Sequence, residues 1–379
     1  MALLERELTF NQAPQTWGGG ASNIDDIADK VYNGERITGD DALRLFNHPN
    51  VVDLAELADH VRQRKHPDNT VTYIIGRNIN YTNVCYVRCR FCNFYRIPGA
   101  EGGYVLPREE IFQKIQEMVD VGGIEILMQG GLNPKLKIEW YEDLFRAIME
   151  RFPGVILHAL SPAEIIYIKK LSKLTMEETL TRLKAAGLHS VPGGGAEVLT
   201  DRVRQWIAPY KDTAEEWLDC MRVAHKVGLR SSATMMYGSV DTIEDRVEHL
   251  QKLRDLQDES LALSPTAFTA FIAWNYQPDG TELGGTRASA FDYMRTIAIS
   301  RIFLDNFPNI QASWVTQGPR IGQISLRYGV NDFGSTMMEE NVVSTAGCVF
   351  TVPIEEIERL ITDAGYAPKR RNTRYELVD

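Results

Sequence analysis

The sequence lacks the long apolar runs that mark membrane proteins and secretory signal peptides. No run approaches the roughly 18 consecutive apolar residues that a membrane-spanning helix needs. Residues 1–10 include Glu5 and Glu7 where a signal peptide would have its apolar core. We therefore expect a cytoplasmic protein without a membrane partner.

Positive charge is also in short supply. The 379 residues include 41 Lys and Arg against 51 Asp and Glu, a formal net charge of -10, and residues 369–371 are the dense basic group that stands out. Proteins that bind nucleic acids present a basic stripe or patch to the phosphates. We expect a small-molecule substrate and no nucleic-acid partner.

Cysteine is scarce and unevenly placed. Five cysteines, an odd number, do not form the disulfide framework of a secreted protein and suit a reducing compartment. Cys220 and Cys348 stand alone, and we expect both to be buried structural thiols. Cys85, Cys89 and Cys92 fall within eight residues as C-x3-C-x2-C.

The cysteine-rich stretch at residues 80–96 indicates a metal centre. Three thiolates in one loop can bind three corners of an iron-sulfur cube, whereas complete ligation takes four protein ligands. The fourth iron is then open to a small molecule. Three alternatives stay open: a zinc site with a fourth ligand from elsewhere, a disulfide with a spare thiol, and cysteines that pack as small apolar residues.

Helix and strand signals alternate along most of the chain. Eight strands with glycine at the helix-to-strand junctions predict a parallel sheet with crossover helices, and the number eight predicts a closed (β/α)8 TIM-type barrel. An open doubly wound sheet is the alternative. We expect a flexible lead-in at residues 1–22, an N-terminal helical cap at 23–70, and the barrel with its last helix at 71–379.

The boundaries follow from hydrophobic periodicity and from capping signals, because S-P-A-E, T-M-E-E and T-A-E-E each match a capping box. The predicted strands cover residues 71–79, 124–129, 155–160, 189–192, 230–237, 266–273, 312–315 and 324–328. The predicted helices cover residues 24–31, 40–46, 52–61, 107–121, 139–151, 161–171, 175–186, 213–227, 242–257, 288–306 and 353–364.

In such a barrel the residues after each strand surround one mouth, where the chemistry takes place. Gln129, Gly130 and Gly131 follow strand two, where paired glycines either let a ligand approach the backbone or form a tight turn. Ser161 follows strand three, as a ligand contact or as a helix N-cap.

The glycine-rich stretch after strand four, residues 192–197, suits a nucleoside site. Its glycines, which include Gly194 and Gly195, let backbone lie against a ligand, and Glu197 can accept hydrogen bonds from ribose hydroxyls. Arg204 and Lys211 lie downstream and can neutralise a carboxylate, or they belong to a solvated helix surface.

Further polar residues are expected at the mouth. Thr234 ends strand five, and Asn331 and Asp332 follow strand eight, either as ligand contacts or as a hydrogen-bonded loop. His158 is the histidine on a predicted strand near the mouth, and it is either an acid or base or a core histidine.

The cysteine motif resembles the signature of the radical S-adenosylmethionine (SAM) superfamily, C-x3-C-x-aromatic-C, with Phe91 in the aromatic position. The resemblance implies a 4Fe-4S cluster on the three cysteines, SAM on the open iron, and reductive cleavage of SAM to a 5'-deoxyadenosyl radical. It also implies a reducing electron donor such as flavodoxin or ferredoxin. The glycines after strand two would contact the methionyl amino group of SAM.

Further stretches resemble one family of this superfamily, the cyclic dehypoxanthinyl futalosine synthases of the futalosine route to menaquinone. They are N-I-N-Y-T-N-V-C, C-N-F-Y-R, I-E-W-Y-E-D-L, H-A-L-S-P-A-E-I, P-G-G-G-A-E, A-T-M-M-Y-G, Q-A-S-W-V-T-Q-G and E-E-N-V-V. The resemblance implies that hydrogen is abstracted from ribose C4' of dehypoxanthinyl futalosine and that the sugar radical adds to the benzoate ring. Aminofutalosine synthase and the deazaflavin-forming synthases are the alternatives within the superfamily, and a zinc-binding protein is the alternative outside it.

The implied reaction needs a carboxylate anchor and a proton acceptor. The candidate substrate contacts are Arg204, Lys211, Arg320 and Asn331. The candidate catalytic residues are Glu197, His158 and Asp332. The candidate cofactor contacts are Phe91, Gln129, Gly130, Gly131, Ser161, Gly194, Gly195, Glu197 and Thr234.

Overall fold

The computed structural model describes residues 23–265 and 267–378, so the predicted lead-in at residues 1–22 lies outside the described residues. The strands are β1 (Thr70–Ile74), β2 (Gly76–Ile79), β3 (Glu125–Met128), β4 (Ile156–Ala159), β5 (Ser190–Val191), β6 (Arg230–Tyr237), β7 (Phe268–Asn275), β8 (Asn309–Gln311), β9 (Asp332–Ser335) and β10 (Ala367–Arg370). The helices are α1 (Asp25–Asn33), α2 (Gly39–Asn47), α3 (Val51–Lys65), α4 (Arg108–Asp120), α5 (Ile138–Arg151), α6 (Pro162–Ser172), α7 (Met176–Ala186), α8 (Asp201–Ile207), α9 (Ala214–Lys226), α10 (Ile243–Leu263), α11 (Ala290–Phe303), α12 (Trp314–Gln317), α13 (Pro319–Ser325) and α14 (Ile354–Asp363), with a 3-10 turn at Val343–Ala346.

The sheet closes into a barrel because its first strand is bent. Only Ile75 separates β1 from β2, yet β1 pairs with β9 while β2 pairs with β3, and all the pairings between the named strands are parallel. If β1 and β2 are counted as one strand, this strand and β3 to β9 make eight barrel strands, with helices between them. The predicted (β/α)8 barrel is confirmed.

An additional strand, β10, lies beside β1 and leads into a segment that crosses the amino-terminal end of the barrel. β10 pairs in parallel with β1, from Thr70 opposite Ala367 onwards. After it, Arg371 forms a buried ion pair with Asp332 at the start of β9, and Thr373 Oγ1 donates to Glu125 Oε2 at 3.0 Å. Residues 371–375, named here the floor segment, therefore cover the end of the barrel opposite the mouth.

The three predicted N-terminal helices are present as α1, α2 and α3. The helix α3 packs on α11, and α2 packs on α10 and α11. Arg62 of α3 is buried and donates to the carbonyl oxygens of Val330 and Thr70, at 3.2 and 3.1 Å, near the amino ends of β9 and β1. These helices therefore brace the outside of the barrel towards its floor.

The last two strands differ from the prediction. β8 and β9 lie at Asn309–Gln311 and Asp332–Ser335, and the apolar residues that suggested strands at 312–315 and 324–328 fall in or beside α12 and α13. Pro319 begins α13, a position that proline favours because its missing N–H needs no partner there. The helix α8 was not predicted, and α10 continues to Leu263.

Across residues 23–265 and 267–378, no helix combines the length and the apolar character needed to cross a lipid bilayer.

Candidate active site

A cavity of about 450 Å³ runs through the bore of the barrel, from the cysteine loop at the mouth to the floor segment. Alternate residues of several strands face it, as the two-residue period of a strand requires. On β6 and β7 they include Ser232, Thr234, Met236, Ala270, Ile272 and Trp274. The cavity therefore joins the metal-binding motif to the interior of the barrel.

The cysteine loop, residues 80–103, is fixed to several parts of the barrel by backbone hydrogen bonds. Tyr86 N donates to Leu132 O after β3, and Arg90 N donates to Ile207 O at the end of α8. Asn83 closes the loop internally, because its side chain donates to Gly102 O and accepts from Tyr104 N. The loop is thus held between neighbouring strand ends.

The three motif cysteines face this cavity and are not disulfide-bonded. Burial raises the pKa of Cys85, Cys89 and Cys92. Nearby backbone N–H groups, those of Val87 and Leu132 for Cys85 and those of Tyr95 and Phe94 for Cys92, act to lower the pKa of these thiols, but the effect of burial is larger.

The three sulfurs suit a thiolate-bound cluster. Backbone donors stabilise negative charge on a sulfur, and bound iron supplies the positive charge that a buried thiolate needs. Among the described residues, no group of three or more Cys, His, Asp or Glu is placed to hold a single metal ion. The described thiols instead share the wall of a cavity large enough for a cofactor.

Gly130 and Gly131 lie against the cysteine loop. A Cβ atom on Gly131 would lie 2.4 Å from Val84 O and 2.9 Å from Cys85 Cβ, distances that no side chain tolerates. Glu164 is buried and orients this turn, because its Oε1 accepts from Gly130 N at 2.9 Å and from the Tyr81 hydroxyl at 2.7 Å. Glycine is required here for close packing as well as for ligand access.

The triple glycine after β5 forms a second wall of the cavity. A Cβ atom on Gly193 would lie 2.7 Å from Ser232 O, and one on Gly194 would lie 2.3 Å from the Gln129 amide. Gly195 has φ +82°, which favours glycine. Gly193, Gly194 and Gly195 line the cavity, where a ligand can approach their backbone.

Glu197 is held at the cavity wall by Lys211. Lys211 Nζ lies 2.8 and 2.7 Å from the two carboxylate oxygens of Glu197 and 2.9 Å from Gly195 O. Burial lowers the pKa of Lys211, but the nearby carboxylates of Glu197 and Asp212 raise it by more. The net shift of the pKa is upward, so the ammonium stays charged. Each Glu197 oxygen keeps a second acceptor site for a ligand hydroxyl.

His158, Thr234 and Ser161 also line the cavity. His158 Nδ1 lies 2.7 Å from Ser190 Oγ, and burial, followed by the nearby Arg371, lowers the pKa of His158 to about 3. The imidazole is therefore neutral at physiological pH. Ser161 forms a capping box with Glu164, so it has the N-cap role and a place in the cavity wall as well.

Four candidate residues lie outside the cavity lining. Asp332 begins β9 and binds Arg371 and Thr72 at the floor, and Asn331 hydrogen-bonds to Arg301 and Asn309. Their predicted place at the mouth is wrong because strand eight lies at residues 332–335. Arg320 is exposed on α13 for the same reason.

Arg204 is buried behind the glycine-rich wall. It donates to the carbonyl oxygens of Gly195 and Ala196 and forms an ion pair with Asp212 at 2.5 Å. All of these partners belong to the protein, so Arg204 shapes the loop from behind and does not face the cavity.

Sequence reasoning missed several cavity residues. Asn78 lines the cavity from β2, Asn80 does so from the residue after Ile79, and Glu125 does so from β3. The two asparagines occur with a period of two in a buried stretch, which is a signal for polar groups directed into the barrel. Glu164 was visible only as part of a capping box.

Two family models match the chain. Residues 79–253 match the radical SAM superfamily, and residues 265–379 match the CofH/MqnC C-terminal region. The crystal structure of methylornithine synthase superposes with a TM-score of 0.72 at 18% sequence identity, covering 91% of this chain and 97% of that one. That likeness supports the fold.

Curated relatives match over most of the chain. Two proteins named cyclic dehypoxanthine futalosine synthase, from Halalkalibacterium halodurans and Streptomyces coelicolor, are 48% and 43% identical over 94% of this chain, and the matches cover 95% and 89% of those proteins. Aminodeoxyfutalosine synthase from Thermus thermophilus is 39% identical over 93% of this chain and 95% of its own length. The cysteine loop, the barrel and these similarities agree, and the chain belongs to the radical SAM superfamily, in the family of enzymes that carry the CofH/MqnC C-terminal region.

Proposed function

We propose that this chain converts dehypoxanthinyl futalosine to cyclic dehypoxanthinyl futalosine in the futalosine route to menaquinone. The observation that carries the proposal is 48% identity, over 94% of the chain, to a cyclic dehypoxanthine futalosine synthase. The cavity supports it, because cysteines and glycine-rich backbone occupy the mouth and polar side chains continue into the bore.

In this proposal Cys85, Cys89 and Cys92 bind a 4Fe-4S cluster whose open iron binds SAM. When bound and reduced by a donor such as flavodoxin or ferredoxin, the pair supplies a 5'-deoxyadenosyl radical for hydrogen abstraction from ribose C4'. The backbone at Gly131 and Gly194 would line bound SAM, and Glu197 would accept hydrogen bonds from the ribose hydroxyls of SAM.

The protein promotes the ring closure chiefly by holding one molecule in a bent pose. The sugar and the benzoate ring are already joined, so orientation replaces a bimolecular encounter. The apolar part of the cavity wall, which includes Leu127, Ile272 and Trp274, excludes water from the reacting groups.

Restoring aromaticity to the benzoate ring after the radical addition removes one electron and one proton, and the electron would pass to the bound cluster. Of the three candidate acceptors, Glu197 and His158 face the cavity, whereas Asp332 is paired with Arg371 at the floor. His158 is a weak base, because burial lowers its pKa to about 3 and its two ring nitrogens face Ser190 and Ser232. We therefore assign proton transfer to Glu197 before His158.

The test is an anaerobic assay of reconstituted, reduced protein with SAM and dehypoxanthinyl futalosine, followed by mass spectrometry. We expect cyclised product and 5'-deoxyadenosine from the wild type and from Cys220→Ala, because Cys220 is buried in α9 outside the cavity lining. We expect neither product from Cys89→Ala. Deoxyadenosine without cyclised product would contradict the proposed substrate and direct attention to the aminodeoxyfutalosine reaction.

A further inference from the structure

The lower half of the cavity carries polar side chains beside the apolar Ile74 and Leu127, where a TIM-type barrel is normally filled by bulky branched side chains. The inward-facing residues on neighbouring strands and on the floor segment include Asn78, Glu125, His158, Ser232, Gln311 and Thr373. Polar side chains at these positions contribute little to packing. Their presence indicates that the bore holds a polar ligand.

Asn78 supplies the clearest sign of a missing partner. Its side chain is only 4% exposed and faces the cavity, and no described residue hydrogen-bonds to its Oδ1. Buried polar atoms are nearly always hydrogen-bonded, so an unpaired one beside a cavity calls for a ligand donor.

Glu125 presents a second acceptor one inward-facing position nearer the floor, because it lies opposite Gly76. It is 7% exposed, and its Oε2 accepts from Thr373 of the floor segment. No described residue donates to its Oε1. Asn78 and Glu125 stand on the paired strands β2 and β3, diagonally offset by two residues, and both line the same cavity.

The charges at the floor of the cavity indicate which kind of ligand group can bind there. Arg371 is neutralised by two contacts to Asp332, which also accepts from Thr72, and Glu125 adds a further carboxyl group. Acceptor oxygens without an unbalanced cation suit hydroxyl groups and repel a carboxylate.

We infer that Asn78 and Glu125 form a subsite at the floor of the cavity for the sugar hydroxyls of the substrate, with Thr373 as a positioning residue for Glu125. The inference deepens the proposed function and rests on it. The ribose then lies with its hydroxyls towards the floor, and the benzoate carboxylate lies away from it.

The test combines a variant with substrate analogues. We compare wild type, Asn78→Ala and the exposed control Asn47→Ala with dehypoxanthinyl futalosine and with analogues that each lack one ribose hydroxyl. We expect KM to rise about tenfold in Asn78→Ala, the effect of one lost buried hydrogen bond. One deoxy analogue should have a KM about tenfold above that of the full substrate with wild type and with Asn47→Ala. With Asn78→Ala, that analogue and the full substrate should have the same KM.

Each other outcome overturns a defined statement. If every deoxy analogue raises KM in Asn78→Ala by as much as in wild type, the subsite is overturned and the proposed function stands. The same conclusion follows if wild type turns over and KM is unchanged in both Asn78→Ala and Glu125→Gln. If the analogue without the carboxylate is the one whose KM does not rise further in Asn78→Ala, the floor binds the benzoate group. No cyclised product from wild type would overturn the proposed function and the subsite with it. Glu125→Gln keeps the acceptor for Thr373, so it tests the subsite if Asn78→Ala fails to fold.

Discussion

Lys211 connects the two loops that line the mouth. Its ammonium lies between Glu197 and Gly195 O, with 8% of the side chain exposed, and it is 5.9 Å from the centre of the Phe91 ring in the cysteine loop. A buried charge pair is costly to break, because the remaining partner has neither water nor a counter-ion. The pair therefore fixes the shape of the glycine-rich wall.

Lys211→Met tests this role. Removing the ammonium leaves the Glu197 carboxylate buried with only Arg204 nearby at 3.6 Å, so we expect the free energy of unfolding to fall by about 3 kcal/mol. Denaturant unfolding measures the change. Lys226→Met, which removes an exposed partner of Glu177, should have little effect, and the double variant Lys211→Met/Glu197→Gln should recover most of the loss.

The strand ends, and not the strands alone, determine where a cofactor can sit. The turns after β3 and β5 carry glycines whose missing Cβ atoms leave room for Cys85 and for Gln129. Because these glycines have no side chain, the turns after β3 and β5 and the cysteine loop can contact one another. The functional part of the barrel is thus built from backbone as much as from side chains.

Gly131→Ala should disturb the cluster loop selectively. The added methyl group meets backbone of Val84, which cannot rotate away, so we expect a loss of about 1–3 kcal/mol of stability and less iron bound per chain after reconstitution. Gly154→Ala is the matched control, because no atom lies within 4 Å of a Cβ at that position. Equal iron content in the two variants would contradict the close packing described for Gly131.

Helices and strands with strong local signals were predictable. The capping boxes at Ser161, Thr175 and Thr213 each begin a helix, because the cap is encoded within four residues. β8 and β9 were misplaced, because β9 reads D-F-G-S and carries little strand propensity of its own. Its pairing with β1 and β8 makes it a strand, and that contact is not visible in local sequence.

The same distinction divides the site. Cys85, Cys89, Cys92 and the glycine-rich turns were found because their signals are contiguous in sequence. Asp332 was assigned to the wrong end of the barrel once its strand was misplaced. The subsite at Asn78 and Glu125 was missed because two strands far apart in the sequence and the floor segment must come together before these side chains share a cavity.

The barrel as a whole is closed at its floor by residues far apart in the sequence. Arg371 and Asp332 form a buried pair, with Tyr375 stacked over the guanidinium at 3.9 Å from the ring centre. This pair links β9 to the segment after β10. It seals the cavity against solvent from below.

Arg371→Met should loosen this closure. We expect a loss of about 3–5 kcal/mol in the free energy of unfolding, since Asp332 is left as a buried, unpaired carboxylate. Arg371→Met/Asp332→Asn should recover much of that loss, and Arg359→Met, on the exposed surface of α14, should change little. Hydrogen exchange at β1 and β10 reports whether the floor has opened. An unchanged exchange rate there would contradict the sealing role.

The bent first strand also sets an order in time. Thr72 in β1 meets Asp332 in β9 across 260 residues of sequence, and at roughly 5–20 residues per second a ribosome needs about 15–50 s to deliver that partner. During this interval the strand that leads into the cysteine loop has an unpaired edge. Translation therefore separates the synthesis of the iron-binding loop from the closure that gives it its shape, and iron delivered early meets a site that is not yet formed.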